Sequence, residues 1–149
     1  LKDNMLINVG EAYIVVNIIS GPMRSDPEFR ILKFRPKLGP YTYPIIQHEK
    51  EDDDTSKLKL KIFGGPSAGE VYFFKHPVKQ PIVIGRTPDC NVRINDKLLS
   101  KSQANVCYAD QSDQWVLSDG LGGKPSTNGT WLYLNEDYQM YSGMVFKAN

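Results

Sequence analysis

The chain has 149 residues, a net charge of +1, and hydrophobic residues at 40% against charged ones at 23%. That length supports one core and falls short of two ordinary domains, and the balance is far from disordered or membrane compositions. A charge so near zero gives no overall drive toward nucleic acid or a membrane surface, so any anion recognition has to be local.

No run approaches the ~20 apolar residues of a membrane span. The longest, Tyr13-Ile14-Val15-Val16, is of strand length. The first residues lack the basic-then-apolar pattern of a secretory leader, which gives a cytoplasmic or nuclear expectation. The chain begins with Leu1 and not Met, so we expect a piece of a longer protein. Cys90 and Cys107 are too few for a disulfide framework and predict free, buried thiols in a reducing compartment. Neither forms a metal-ligand spacing with His76, and no cofactor is expected.

In chain order, residues 1–18 hold that apolar run. Residues 19–56 read as a linker or surface wrap. Pro22, Pro27, Pro36, Pro40 and Pro44 punctuate the segment, and the mostly acidic run 49–54 closes it as a solvated stretch. Short extended pieces such as 31–34 remain compatible with it.

From residue 57 onward short strands follow one another. Those predicted are 58–63, 71–75, 82–85, 91–94, 104–108, 114–118, 130–134 and 144–147. Lys57-Leu58-Lys59-Leu60-Lys61-Ile62 alternates strictly, predicting one face on a core and one in water. Many short strands at even spacing point to a sandwich or barrel. Trp115 reads as core, whereas Trp131 fits either the core or the rim of a binding surface. Gly65-Pro66-Ser67-Ala68-Gly69 has the letters of a nucleophile elbow, but a strand-like run follows it where an elbow needs a helix. It reads as a hairpin turn.

Three motifs fall at strand ends: Gly85-Arg86, Ser100-Lys101 and Ser126-Thr127-Asn128-Gly129-Thr130. Arg86 offers a planar fork of donors matched to phosphate oxygens. Ser100 supplies a hydroxyl and Lys101 a mobile charge able to reach the same anion. Asn128 carries an amide that can pair with a peptide backbone through both ends. Asn128-Gly129 is also a turn signal, since both residues tolerate positive φ.

In order, spacing and apolar filler, these motifs resemble the forkhead-associated (FHA) family over about ninety residues. The resemblance rests on Ile84-Gly85-Arg86, Leu99-Ser100-Lys101-Ser102-Gln103, Gln114-Trp115-Val116-Leu117-Ser118-Asp119 and Ser126-Thr127-Asn128-Gly129-Thr130-Trp131. It implies an all-β fold of two packed antiparallel sheets, a β-sandwich with binding loops at one end, over residues 57–149. It implies a phosphothreonine-peptide recognition module and not an enzyme. Arg86, Ser100, Lys101 and Thr127 would hold the phosphate, Asn128 would grip the ligand backbone, and Gly85, Gly129 and Thr130 would shape the loops. Leu98, two residues before Ser100, would meet the ligand residue three positions after the phosphothreonine, where an aliphatic partner is expected unless nearby Arg93, Lys97 or Lys124 supplies charge. Where the family has a histidine that orders the loops, this chain has Gln103, expected to serve as a side-chain hydrogen-bond partner. The alternative is an FHA-like fold used as a phosphate-independent scaffold or dimerisation unit.

Residues 3–8 also resemble residues 142–147, with Met5 aligned on Met144, and residues 1–18 as a whole resemble the last strands of an FHA domain. Two readings stay open. The segment ends a preceding domain, or it completes this sandwich, within the chain or in a strand-exchanged homodimer.

Overall fold

The computed structural model describes residues 1–20, 55–134, 137, 139–140 and 142–147. The segment read as a linker, 19–56, lies outside the described residues except at its ends, and the extended piece 31–34 lies outside them entirely.

Nine strands form among the described residues: β1 (Leu6–Val9), β2 (Ala12–Ile19), β3 (Lys57–Phe63), β4 (Val71–Lys75), β5 (Ile82–Gly85), β6 (Val92–Arg93), β7 (Ala104–Ala109), β8 (Gln114–Asp119) and β9 (Trp131–Tyr133). They make two sheets, a five-stranded one in the order β4-β3-β2-β1-β9 and a four-stranded one in the order β6-β5-β7-β8. The fold is an all-β sandwich. Its pairing is antiparallel except for β5 with β6, which run parallel.

Alternation in the sequence builds the core. Ile7, Val9, Ile14 and Val16 from β1 and β2, with Leu58, Leu60 and Ile62 from β3, face Ile82, Ile84, Val92, Val106 and Trp115 of the second sheet. These residues form one cluster in which none is more than 2% exposed. Burying a Val, Leu or Ile side chain contributes about 1.5–3 kcal/mol before entropy is counted, so the cluster dominates stability.

Residues 1–19 are part of this sandwich. Gly10, at φ +56°, makes the tight turn between β1 and β2, and Val9 pairs with Ala12 across it. β2 then pairs along its length with β3, while β1 pairs with β9 through Leu6–Tyr133, Ile7–Leu132 and Asn8–Trp131.

Three expectations need correction. Lys57 and Lys59 were expected in water, yet they are 0% and 8% exposed. Their stems lie along the sheet while the Lys57 ammonium donates to the Thr55 carbonyl at 3.0 Å and that of Lys59 lies 5.8 Å from the Phe73 ring. Residues 144–147 are not a strand. The segment lines a groove with Asn8, Tyr13 and Trp131 on the outer face of the sheet. Finally, Cys90 is buried but Cys107 only partly so, because its position on β7 points away from the core; both are free thiols.

Ser67 is 4% exposed, its hydroxyl donating to the Arg93 carbonyl and accepting from the Asn95 N–H, so the elbow-like letters form a structural turn. No helix among the described residues is long and apolar enough to cross a membrane.

Candidate functional site

The three sequence motifs converge on one end of the second sheet, held together mostly by backbone. β5 ends at Gly85, where a Cβ would stand 2.1 Å from the Lys101 carbonyl oxygen. Only glycine allows that approach. The next N–H, that of Arg86, donates to the Ser100 carbonyl at 3.3 Å. Thr87 Oγ1 and Cys90 Sγ both donate to the Lys101 carbonyl, at 3.2 and 3.1 Å. The loop after β5 is therefore fastened to the backbone of Ser100-Lys101. The side chains of Arg86 and Lys101 are exposed.

Ser100 links to the turn before β9. Its Oγ accepts from the Thr127 N–H at 2.9 Å and donates to Thr127 Oγ1 at 3.3 Å. Asn128 Nδ2 donates to the Leu98 carbonyl at 2.7 Å. Asn128 also carries a second amide hydrogen and the Oδ1 acceptor, a pair of functions matched to a peptide group. Leu98 itself is 51% exposed beside it. Gly129, at φ +76°, turns the chain so that Trp131 Nε1 reaches the Asn128 carbonyl at 3.0 Å. Trp131 thus belongs to the rim of the turn.

Gln103 stands behind these loops, 1% exposed. Its Oε1 accepts from the Ser100 N–H at 3.0 Å, and its Nε2 donates to the Gly129 carbonyl at 2.8 Å and to Ser126 Oγ at 2.9 Å. All the hydrogen-bonding ends of this buried amide are used, which offsets the cost of burying it. Thr130 Oγ1, 3.3 Å from the same Nε2, also reaches the Gln103 carbonyl.

Two residues to which the sequence assigns no role complete the scaffold. Asp119, at the end of β8, accepts from Ser126 N at 2.8 Å, Ser126 Oγ at 2.7 Å and Thr130 Oγ1 at 2.7 Å. Burial works to raise its pKa, but the hydrogen bonds from Ser126 and Thr130 outweigh that and hold the carboxyl below its ordinary value. The signal for it in sequence is an acid followed by glycine at a strand end, Ser118-Asp119-Gly120. Asp96 is the second, 5% exposed in the loop before Ser100. Asp96 holds backbone N–H groups, and Asp119 holds a backbone N–H and two hydroxyls.

Residues 82–147 match the model of the FHA domain family. That match supports an FHA-domain assignment for this part of the chain. FHA domains are binding modules and not enzymes, and as a family they take phosphothreonine peptides. No curated protein and no solved structure matched the chain. The FHA match begins at Ile82, so β1 to β4 lie before it, although their strands build most of the five-stranded sheet against which the matched part packs.

Proposed function

We propose that this FHA domain binds phosphothreonine-containing segments of partner proteins, with the phosphate held by Arg86, Ser100, Lys101 and Thr127. Asn128 pairs with the ligand backbone, and Leu98 favours an aliphatic ligand residue three positions after the phosphothreonine. A carboxylate there would lose water beside Leu98 without gaining a donor. Gly85, Gln103, Gly129 and Thr130 hold the loops and do not touch the ligand.

The observation that carries this reading is the Ser100–Thr127 pairing, which brings two hydroxyls to 3.3 Å beside the loop of Arg86. A phosphate dianion takes several donors at once, and a guanidinium fork with two hydroxyls and an ammonium supplies them locally in a chain of almost no net charge. The reading carries a cytoplasmic or nuclear setting with it.

The test is calorimetric titration of an oriented phosphothreonine peptide library, with Arg86→Ala as control. Binders tighter than ~100 μM, about −5.5 kcal/mol, that are lost on Arg86→Ala and on dephosphorylation support phosphate recognition. Partner binding that survives Arg86→Ala supports the scaffold alternative.

A further inference from the structure

The N-terminal hairpin reaches the peptide-reading loop through one buried carboxylate. Asp96 Oδ2 accepts from the Glu11 N–H at 2.9 Å, and Oδ1 accepts from the Leu98 N–H at 2.8 Å. One oxygen thus faces the β1–β2 turn and the other faces the loop before Ser100. The contact is close as well as polar. A Cβ on Gly10 would stand 2.3 Å from Asp96 Oδ2 and 2.5 Å from Leu99 Cδ1.

The bond to Leu98 alone is local: an aspartate turning its own loop. The bond to Glu11 is not, because it crosses 85 positions in sequence to a strand pair of the other sheet. From Leu98 the connection continues, since its carbonyl accepts from Asn128 Nδ2 at 2.7 Å. Leu98 is held at its N–H by Asp96 and at its carbonyl by Asn128.

We propose that Asp96 is a positioning residue that couples docking of the β1–β2 hairpin to the orientation of Asn128. Its consequence for affinity rests on the phosphopeptide reading above; the coupling itself does not. With the hairpin seated, Asp96 is fixed from one side and Leu98 presents its carbonyl to Asn128. With the turn displaced, the buried carboxylate loses a donor and the loop loses its brace. By linkage, a peptide that grips Asn128 also tightens the hairpin.

The substitution Asp96→Asn separates the two oxygens chemically, because an amide keeps one acceptor and turns its NH2 toward another donor. We expect a ~10-fold weaker phosphothreonine-peptide Kd, within the usual range of coupling between sites. In the unliganded Asp96→Asn chain, the Leu98 amide should exchange faster and the Asn128 side-chain amide resonance should move. In the wild-type chain, saturating phosphothreonine peptide should slow exchange of the Glu11 amide, a readout that does not depend on the variant folding. A variant that melts earlier but keeps Kd and the Asn128 resonance makes Asp96 merely structural and overturns the proposal. So does a Glu11 amide indifferent to bound peptide. If the wild-type chain takes no phosphothreonine peptide, the proposed function fails, and the Leu98 and Asn128 signals of the unliganded variant alone decide the coupling: unchanged, they overturn it.

Discussion

Gln103 donates its side-chain N–H to the Gly129 carbonyl oxygen across 2.8 Å, and by that bond the loop of Ser100 is fixed to the turn of Asn128. Substituting Gln103→Leu keeps the volume and removes both ends of the amide. The Ser100 N–H and the Gly129 carbonyl then lose a buried partner, at a cost of about 1–3 kcal/mol each. Denaturant unfolding should show the loss, and peptide affinity should fall with it.

Gln103→His makes a sharper test. A neutral imidazole carries one acceptor and one donor, the pair of functions that Ser100 N–H and Gly129 carbonyl require. Its protonated form has no acceptor left for Ser100. The folded state then favours the neutral ring and lowers its pKa below the unfolded ~6.5, so the stability it contributes is present above ~6.5 and lost as pH falls. Melting temperatures of the variant and wild type should lie close at pH ~7.5 and diverge toward pH ~5.5.

Arg86 and Lys101 should not be equivalent. Arg86→Lys keeps the charge but loses the fork, and phosphopeptide binding should weaken by about tenfold or more at any salt concentration. Lys101→Ala removes an exposed, mobile charge, with an effect of no more than about 1 kcal/mol that shrinks as salt is added. Titrations at two ionic strengths check both.

Asp119→Asn should lower thermal stability at pH 7 by about 1 kcal/mol or less, since the group is at the surface. The sign of its pH dependence follows from its depressed pKa. The stability it contributes is present above the ordinary carboxylate value of 3.8 and is lost as pH falls through the lower folded value. Wild type and variant should therefore begin to converge in melting temperature below about pH 4 and meet only below the lowered folded value, and a gap that does not narrow as pH falls would contradict the assignment.

Ile14 is fully buried at the centre of the five-stranded sheet. Ile14→Ala should cost about 2–5 kcal/mol in unfolding free energy, followed through the fluorescence of buried Trp115. A cost under about 1 kcal/mol would mean that the N-terminal hairpin contributes little to the fold.

Most strands were legible because alternation and turn residues are local signals. The runs ending at Phe63, Lys75 and Gly85 lie within a residue of where the sequence alone sets them. The site motifs were legible for the same reason, since each is a contiguous string at a strand end. Lys57 and Lys59 were not, because whether a lysine on an outer face is covered depends on residues distant in sequence. Met144-Val145-Phe146 carries strand-forming letters, but whether such letters pair depends on partners distant in sequence. Asp96 and Asp119 have no role legible in the sequence because their partners are mainly backbone N–H groups and hydroxyls, which no pattern of letters announces.

The pairing of β1 with β9 also sets a timetable. Asn8 meets Trp131 across about 120 intervening residues, so the last ladder of the five-stranded sheet is among the most non-local contacts this chain can make. Such closures are slow, because the entropy of a long loop is lost before the contact rewards it. On a ribosome, the apolar face of the first hairpin emerges well before the strand that flanks it has been synthesised. During that interval Ile7 and Val9 stand bare, and a chaperone or another nascent chain has its best opportunity to reach them.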